Sequence, residues 1–148
     1  MKRLYMTMKG MSLLLVVGFL LSACSSSKVL GLEQGWDVLD QRKVNFVRDH
    51  DAIEIKSRTP YTALRFKVED KDVRINELKI VFDNGDKLEP VMDDVITAGQ
   101  WSRIIELGRE GRVINSIEFK YRSLGNLLTG RATVITIGRR YDPYRYGY

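Results

Sequence analysis

Side chains able to do chemistry are scarce in this chain: 148 residues hold one cysteine, Cys24, and one histidine, His50. His50 stands between Asp49 and Asp51. A neutral imidazole beside carboxylates can start a zinc or calcium site, or act as a general base. Adjacent residues on a strand point to opposite faces, so these three converge on one ion only where the chain bends. A zinc ligand set would need a second histidine or a further cysteine, and Asp49-His50-Asp51 reads as a solvated connection ahead of a strand. Asp83, Asn84, Asp86, Asp93 and Asp94 offer oxygen ligands to calcium. The EF-hand spacing fails there, because Asp94 occupies the twelfth position from Asp83 and Gly85 the third. A Ser-His-acid set can be drawn from His50 with Ser102 or Ser123, but no Gly-x-Ser-x-Gly elbow supports it. These patterns predict a protein that is not an enzyme and uses no metal or cofactor. The alternative is a cell-wall or polysaccharide hydrolase of unrecognised type, since two carboxylates across a cleft leave no mark in sequence spacing.

Cys24 has a different setting. Lys2, Arg3 and Lys9 precede an apolar run from Met11 to Leu21, and Leu21-Ser22-Ala23-Cys24 closes it. A basic n-region, a short apolar h-region and small residues at a cleavage point make an export signal, too short for a spanning helix. A cysteine directly after small residues resembles the lipobox of bacterial lipoproteins. The resemblance implies that the thiol is joined to diacylglycerol, that the peptide is cut before Cys24, and that the new amino group is acylated. Residues 1–23 are then a signal peptide, and Cys24 is a lipidation site. Ser25 rather than an aspartate in second place implies the outer membrane of a Gram-negative host, facing the periplasm. Residues 24–30, with Ser25-Ser26-Ser27, form the lipidated N-terminus and a short spacer.

The formal charge of +5 suggests nucleic acid at first sight. Its distribution removes that partner. Residues 1–23 carry three basic side chains and no acid, and the segment from Arg139 carries Arg139, Arg140 and Arg145 against Asp142. The body between is neutral and mixed in sign, unlike the basic stripe of a nucleic-acid binder. The expected partners are the membrane, through the lipid, and an envelope protein or anionic cell-wall polymer.

The body must position whatever site exists. Period-two alternation dominates it: Leu64, Phe66 and Val68; Leu78, Ile80 and Phe82; Ile117, Phe119 and Tyr121. Such alternation marks half-buried strands. Val44–Val47, Ala52–Ile55, Lys87–Val91, Trp101–Leu107 and Ala132–Ile137 are further candidates. Asn84-Gly85 between two of these runs signals a tight hairpin. Thr97–Gly99, Gly108–Gly111 and Leu124–Gly130 are expected turns, and a change of phase near Asn76-Glu77 predicts a bulge. The prediction is an all-β domain over residues 31–138, a single antiparallel β-sandwich or jelly roll of about eight or nine short strands, with a small barrel as the alternative.

The series Gly35-Trp36, Arg42-Lys43-Val44, Thr62-Ala63-Leu64-Arg65, Phe82-Asp83-Asn84-Gly85, Ser102-Arg103 and Tyr121-Arg122-Ser123 resembles small exported bacterial β proteins of unknown function. The resemblance implies export and a β-sandwich and brings no catalytic residue. Trp36 and Trp101 read as core or rim packing, or, if exposed, as platforms for sugar rings. Arg65, Arg103, Arg112 and Arg122 lie on or beside strands. Arg103 shares a phase with Ile105 and Leu107, so it needs an acid such as Glu69, Glu106 or Glu118. Residues 139–148 form a tail with Arg139, Arg140, Tyr141, Tyr144, Arg145, Tyr146 and Tyr148. Rings interleaved with cations suit stacking on sugars, anionic polymers or a protein surface, against the alternative of a frayed terminus.

Overall fold

The computed structural model describes residues 31–44, 50–124 and 131–144. Among these the chain is all-β and antiparallel, with nine strands. They are β1 (Trp36–Lys43), β2 (His50–Glu54), β3 (Pro60–Glu69), β4 (Val73–Phe82), β5 (Lys87–Leu88), β6 (Val91–Ile96), β7 (Ile105–Glu106), β8 (Arg112–Ser123) and β9 (Thr133–Arg140). One layer runs β1-β9-β3-β7, and the other sets β2 and β4 on either side of β8, with β5 and β6 on β4. The layers join where Pro60 and Tyr61 pair with Val113 and Arg112, so the whole is one continuous sheet that does not close into a barrel.

Alternation does the sorting. Leu64, Phe66 and Val68 of β3 turn inward against Leu78, Ile80, Ile117 and Phe119 of the facing layer, and all are buried. The rings of Phe66 and Phe119 meet at 6.4 Å across the two layers. Opposite residues of β3 point out, and Arg65 and Lys67 do so beside Ile137 and Ile135 of β9. Those two isoleucines are buried as well, outside the main core cluster, so the first layer carries a second, thinner apolar covering on its outer face. Trp36 and Trp101 belong there: Trp36 is buried, and Trp101 is half-buried beneath Arg65 and Lys67 at 5.0 and 5.5 Å.

The expected bulge falls between Ile75 and Glu77, and the Asn84-Gly85 hairpin joins β4 to β5 with Gly85 at φ 87°. Three expectations change. Lys87–Val91 is not one strand, because Pro90 lacks the amide a ladder needs and the chain restarts as β6. Trp101–Leu107 is also interrupted: Trp101 bridges Lys67 and β7 pairs with β3, with Ser102–Ile104 irregular between them. Ser102 fills that gap, its hydroxyl accepting the Phe66 amide at 2.9 Å and donating to the Arg103 carbonyl at 2.8 Å. The first strand is β1, ahead of the expected Val44–Val47, of which residues 45–47 lie outside the described residues. So do residues 125–130 of the expected turn at Leu124–Gly130.

Candidate functional site

The antiparallel pairing of β1 with β9 brings together the segments that enter and leave the domain. Trp36 is opposite Arg139, and the Arg140 amide donates to the Gly35 carbonyl at 2.8 Å. The sandwich therefore carries residues 34–35 and 140–144 at one end. Arg139 and Arg140 close β9 rather than following it, so the tail proper starts at Tyr141.

Alternation then divides the two arginines. Arg139 lies on the outer face, its guanidinium donating to Glu106 at 2.9 Å and to the Thr62 hydroxyl at 3.1 Å, with the Trp36 ring 5.7 Å away. Its side chain is only 19% exposed, and it staples β9 to β3 and β7. Arg140 is 54% exposed and reaches Asp37 at 3.3 Å. Tyr141 is fixed at its backbone, where its amide donates to the Pro60 carbonyl at 2.9 Å, and its Cβ lies over Gly111. The Tyr144 amide donates to the Asp142 carboxylate at 2.9 Å, an Asx-type turn that throws the ring outward at 91% exposure. Arg140, Tyr141, Asp142, Pro143 and Tyr144 line a concavity of about 600 Å³ with Gln34 and Gly35. A planar guanidinium beside one exposed ring, Tyr144, and one half-buried ring, Tyr141, can stack on sugars or hold an anion bidentately. Arg145, Tyr146, Tyr148 and Cys24 lie outside the described residues.

The remaining candidates separate. His50 begins β2, is exposed, and pairs with Lys120 on the outer face of the second layer. Its neighbour Asp51 faces the other way, where it accepts from the Tyr121 hydroxyl and lies 3.7 Å from Arg42; Asp49 is outside the described residues. Around His50 the charges are already matched across strands, Lys120 with Glu77 at 2.8 Å and Lys79 with Glu118 at 3.0 Å. A concavity of about 540 Å³ there is lined by His50, these four, Pro90, Val91 and Met92 among others. Ser102 is buried and engaged with β3, and the side chain of Ser123 lies outside the described residues.

Three of the four aspartates weighed for calcium pair with the chain's own cations: Asp86 with Arg112 at 2.6 Å, Asp93 with Arg74 at 3.5 Å, Asp94 with Arg103 at 2.9 Å. Among the described residues, no three His, Cys, Asp or Glu side chains gather as a metal site would require. Arg103 thus does not share the face of Ile105 and Leu107, because the break after Trp101 turns it out to Asp94 and the Val91 carbonyl. Arg65 donates to the Ser102 carbonyl at 3.0 Å, Arg112 covers the Phe82 ring at 3.5 Å, and Arg122 is exposed. Asp40 Oδ2 and Thr136 Oγ1 are buried without a hydrogen bond, on residues opposite each other in β1 and β9. Gln34 and Gly35 are the site residues that sequence reasoning missed, since only the strand pairing brings them beside the tail.

Comparison with known proteins gives this all-β domain a family. The description "Domain of unknown function (DUF2541)" matches residues 11–138, and the chain belongs to that family. The match starts within the apolar run before Cys24 and stops at Gly138, so Arg140, Tyr141 and Tyr144 lie beyond it. No curated protein matches the chain. A solved structure of AlgX from Pseudomonas aeruginosa is similar at a TM-score of 0.46 and 13% identity, over 68% of this chain and 26% of that one. The chain spans about a quarter of that protein's length.

Proposed function

We propose that this protein is a lipid-anchored envelope protein, held at the outer membrane through Cys24 and facing the periplasm. On this reading it acts without catalysis, as a binding or structural module. The sandwich is the support, and the binding surface is the end where β1 starts and β9 finishes. One observation carries the reading: Arg140, Tyr141 and Tyr144 gather with Gln34 and Gly35 around a single concavity, and Tyr144 is almost fully exposed. An exposed ring costs solvation and contributes little to the fold, whereas rings and guanidinium groups are what binding surfaces concentrate. The basic n-region, the apolar run and Leu21-Ser22-Ala23-Cys24 support the anchor.

Mass spectrometry of the mature chain from a bacterial envelope tests the first half, with an acylated N-terminal Cys24 expected. For the second half, a photo-crosslinking residue at position 144 in intact envelopes should give adducts that the same residue at Leu124, on the opposite end, does not. A mature chain starting elsewhere overturns the anchor. Equal crosslinking from both ends overturns the binding surface.

A further inference from the structure

We infer that β1 is a docking edge for a second copy of this chain, the two β1 strands pairing antiparallel about a two-fold axis. An unpaired edge strand is a template for another chain unless something blunts it. Arginine side chains blunt two other edges: Arg42 donates to the Ala52 carbonyl on the rim of β2, and Arg103 to the Val91 carbonyl on the rim of β6. Along β3, the Gly99 and Ser102 amides and then β7 take up the backbone. β1 is the end strand of its layer and eight residues long, and β9 is its one strand partner among the described residues.

The backbone of β1 selects that partner. At its two ends the Arg140 amide bonds the Gly35 carbonyl and the Val44 amide bonds the Ala132 carbonyl. Bonded and non-bonded positions alternate along an antiparallel pair, so Asp37, Asp40 and Arg42 turn their backbone groups to β9. Trp36, Val38, Gln41 and Lys43 turn theirs to the free edge. The Trp36 amide is taken by the Glu33 carbonyl, which leaves its own carbonyl. A regular strand offers such positions at every second residue, whereas the bulge at Leu39 sets Val38 and Gln41 three apart. The resulting spacing of two, three and two reads the same from either end. A second β1, run antiparallel, therefore meets it in step, Val38 against Gln41 and Trp36 against Lys43. In this register Asp37 of each copy stands opposite Arg42 of the other, so unlike charges meet across the axis. Facing residues share a side of the sheet, so the outer faces of both copies lie on one side. The chain enters each domain on that face, where Gly31 and Leu32 lie with Trp101 and Ile137. On the lipid-anchor reading both chains thus approach from one bilayer, which raises their effective concentration. The strand pairing itself stands without the anchor.

The test is photo-crosslinking of the full chain in intact envelopes. A photo-crosslinking residue in place of Val38, which is outward and 46% exposed, should give a band of twice the mass. Mass spectrometry of that band should join position 38 to the segment around Gln41 of a second copy. The same residue in place of Lys87, on β5, should give no such band. Gln41→Pro removes an amide aimed at the free edge and leaves the β9 ladder whole, so it should keep the denaturation midpoint. Each copy then loses its Gln41 amide, two main-chain bonds across the axis go, and the band should fall about tenfold. Lys43→Pro repeats the comparison where Gln41→Pro lowers the midpoint. A midpoint lowered in both shows these amides bonded within the chain and overturns the edge assignment. No band from 38, equal bands from 38 and 87, or a band that survives the proline also overturns the proposal. So do adducts from 38 to a different protein alone, which would make that protein the added strand.

Discussion

Tyr141 lies so close over Gly111 that a Cβ at position 111 would stand 2.6 Å from the Cβ of Tyr141. The glycine also holds φ at 68°, a left-handed conformation that side chains with a Cβ resist. Gly111→Ala should therefore cost about 1–2 kcal/mol from backbone strain alone and lift Tyr141 off the sandwich. Chemical denaturation measures the first effect. Faster proteolysis after Arg140 reports the second, and an unchanged cleavage rate would show that Tyr141 needs no seat on Gly111.

Phe66 and Phe119 join the two layers, both buried, with centroids 6.4 Å apart. Replacing either by alanine should cost about 3–5 kcal/mol, the range for a large ring lost from a packed core. Because the rings touch, the double variant should lose less than the two single losses combined. Urea denaturation of the three variants checks both statements, and strict additivity would contradict the contact.

Ser102 sits where β3 lacks a strand partner. Its hydroxyl serves the Phe66 amide and the Arg103 carbonyl, so Ser102→Ala should cost about 1–3 kcal/mol by leaving a buried amide unpaired. A loss of stability with binding intact is expected, measured by denaturation alongside crosslinking from position 144. A stability-neutral Ser102→Ala would return this serine to the candidates for chemistry.

The inward strands were legible because Leu64-x-Phe66-x-Val68 and Ile117-x-Phe119-x-Tyr121 repeat with the pleat, and Asn84-Gly85 announces its turn. The edge strands were not. In β1 a register shift between Val38 and Asp40 breaks the alternation, and in β6 Asp93 and Asp94 hide a strand that has little to bury. Edge strands carry charges and bulges that blunt pairing with other chains, and those same features obscure their period. The tail residues were visible by composition, yet the division between Arg139 and Arg140 was not. It depends on which face of β9 each occupies and on Glu106 arriving from a strand more than thirty residues away.

That division gives a direct contrast between two adjacent residues of like charge. Arg139 makes charge-assisted bonds to Glu106 and Thr62 with its side chain largely covered, so Arg139→Gln should cost about 1–3 kcal/mol. Arg140 is more than half exposed, and its one ion pair, with Asp37, lies at the surface; Arg140→Gln should stay within about 0.5 kcal/mol of the parent. Crosslinking from position 144 should rank the other way. Arg140→Gln is expected to lose adducts from position 144 in intact envelopes while keeping its denaturation midpoint, and Arg139→Gln to lose midpoint first. A truncation after Gly138 would remove both arginines and confuse the two effects, so the informative deletion starts at Tyr141. If Arg140→Gln destabilises the fold as much as Arg139→Gln, both arginines are structural and the exposed end of β9 is not a binding surface.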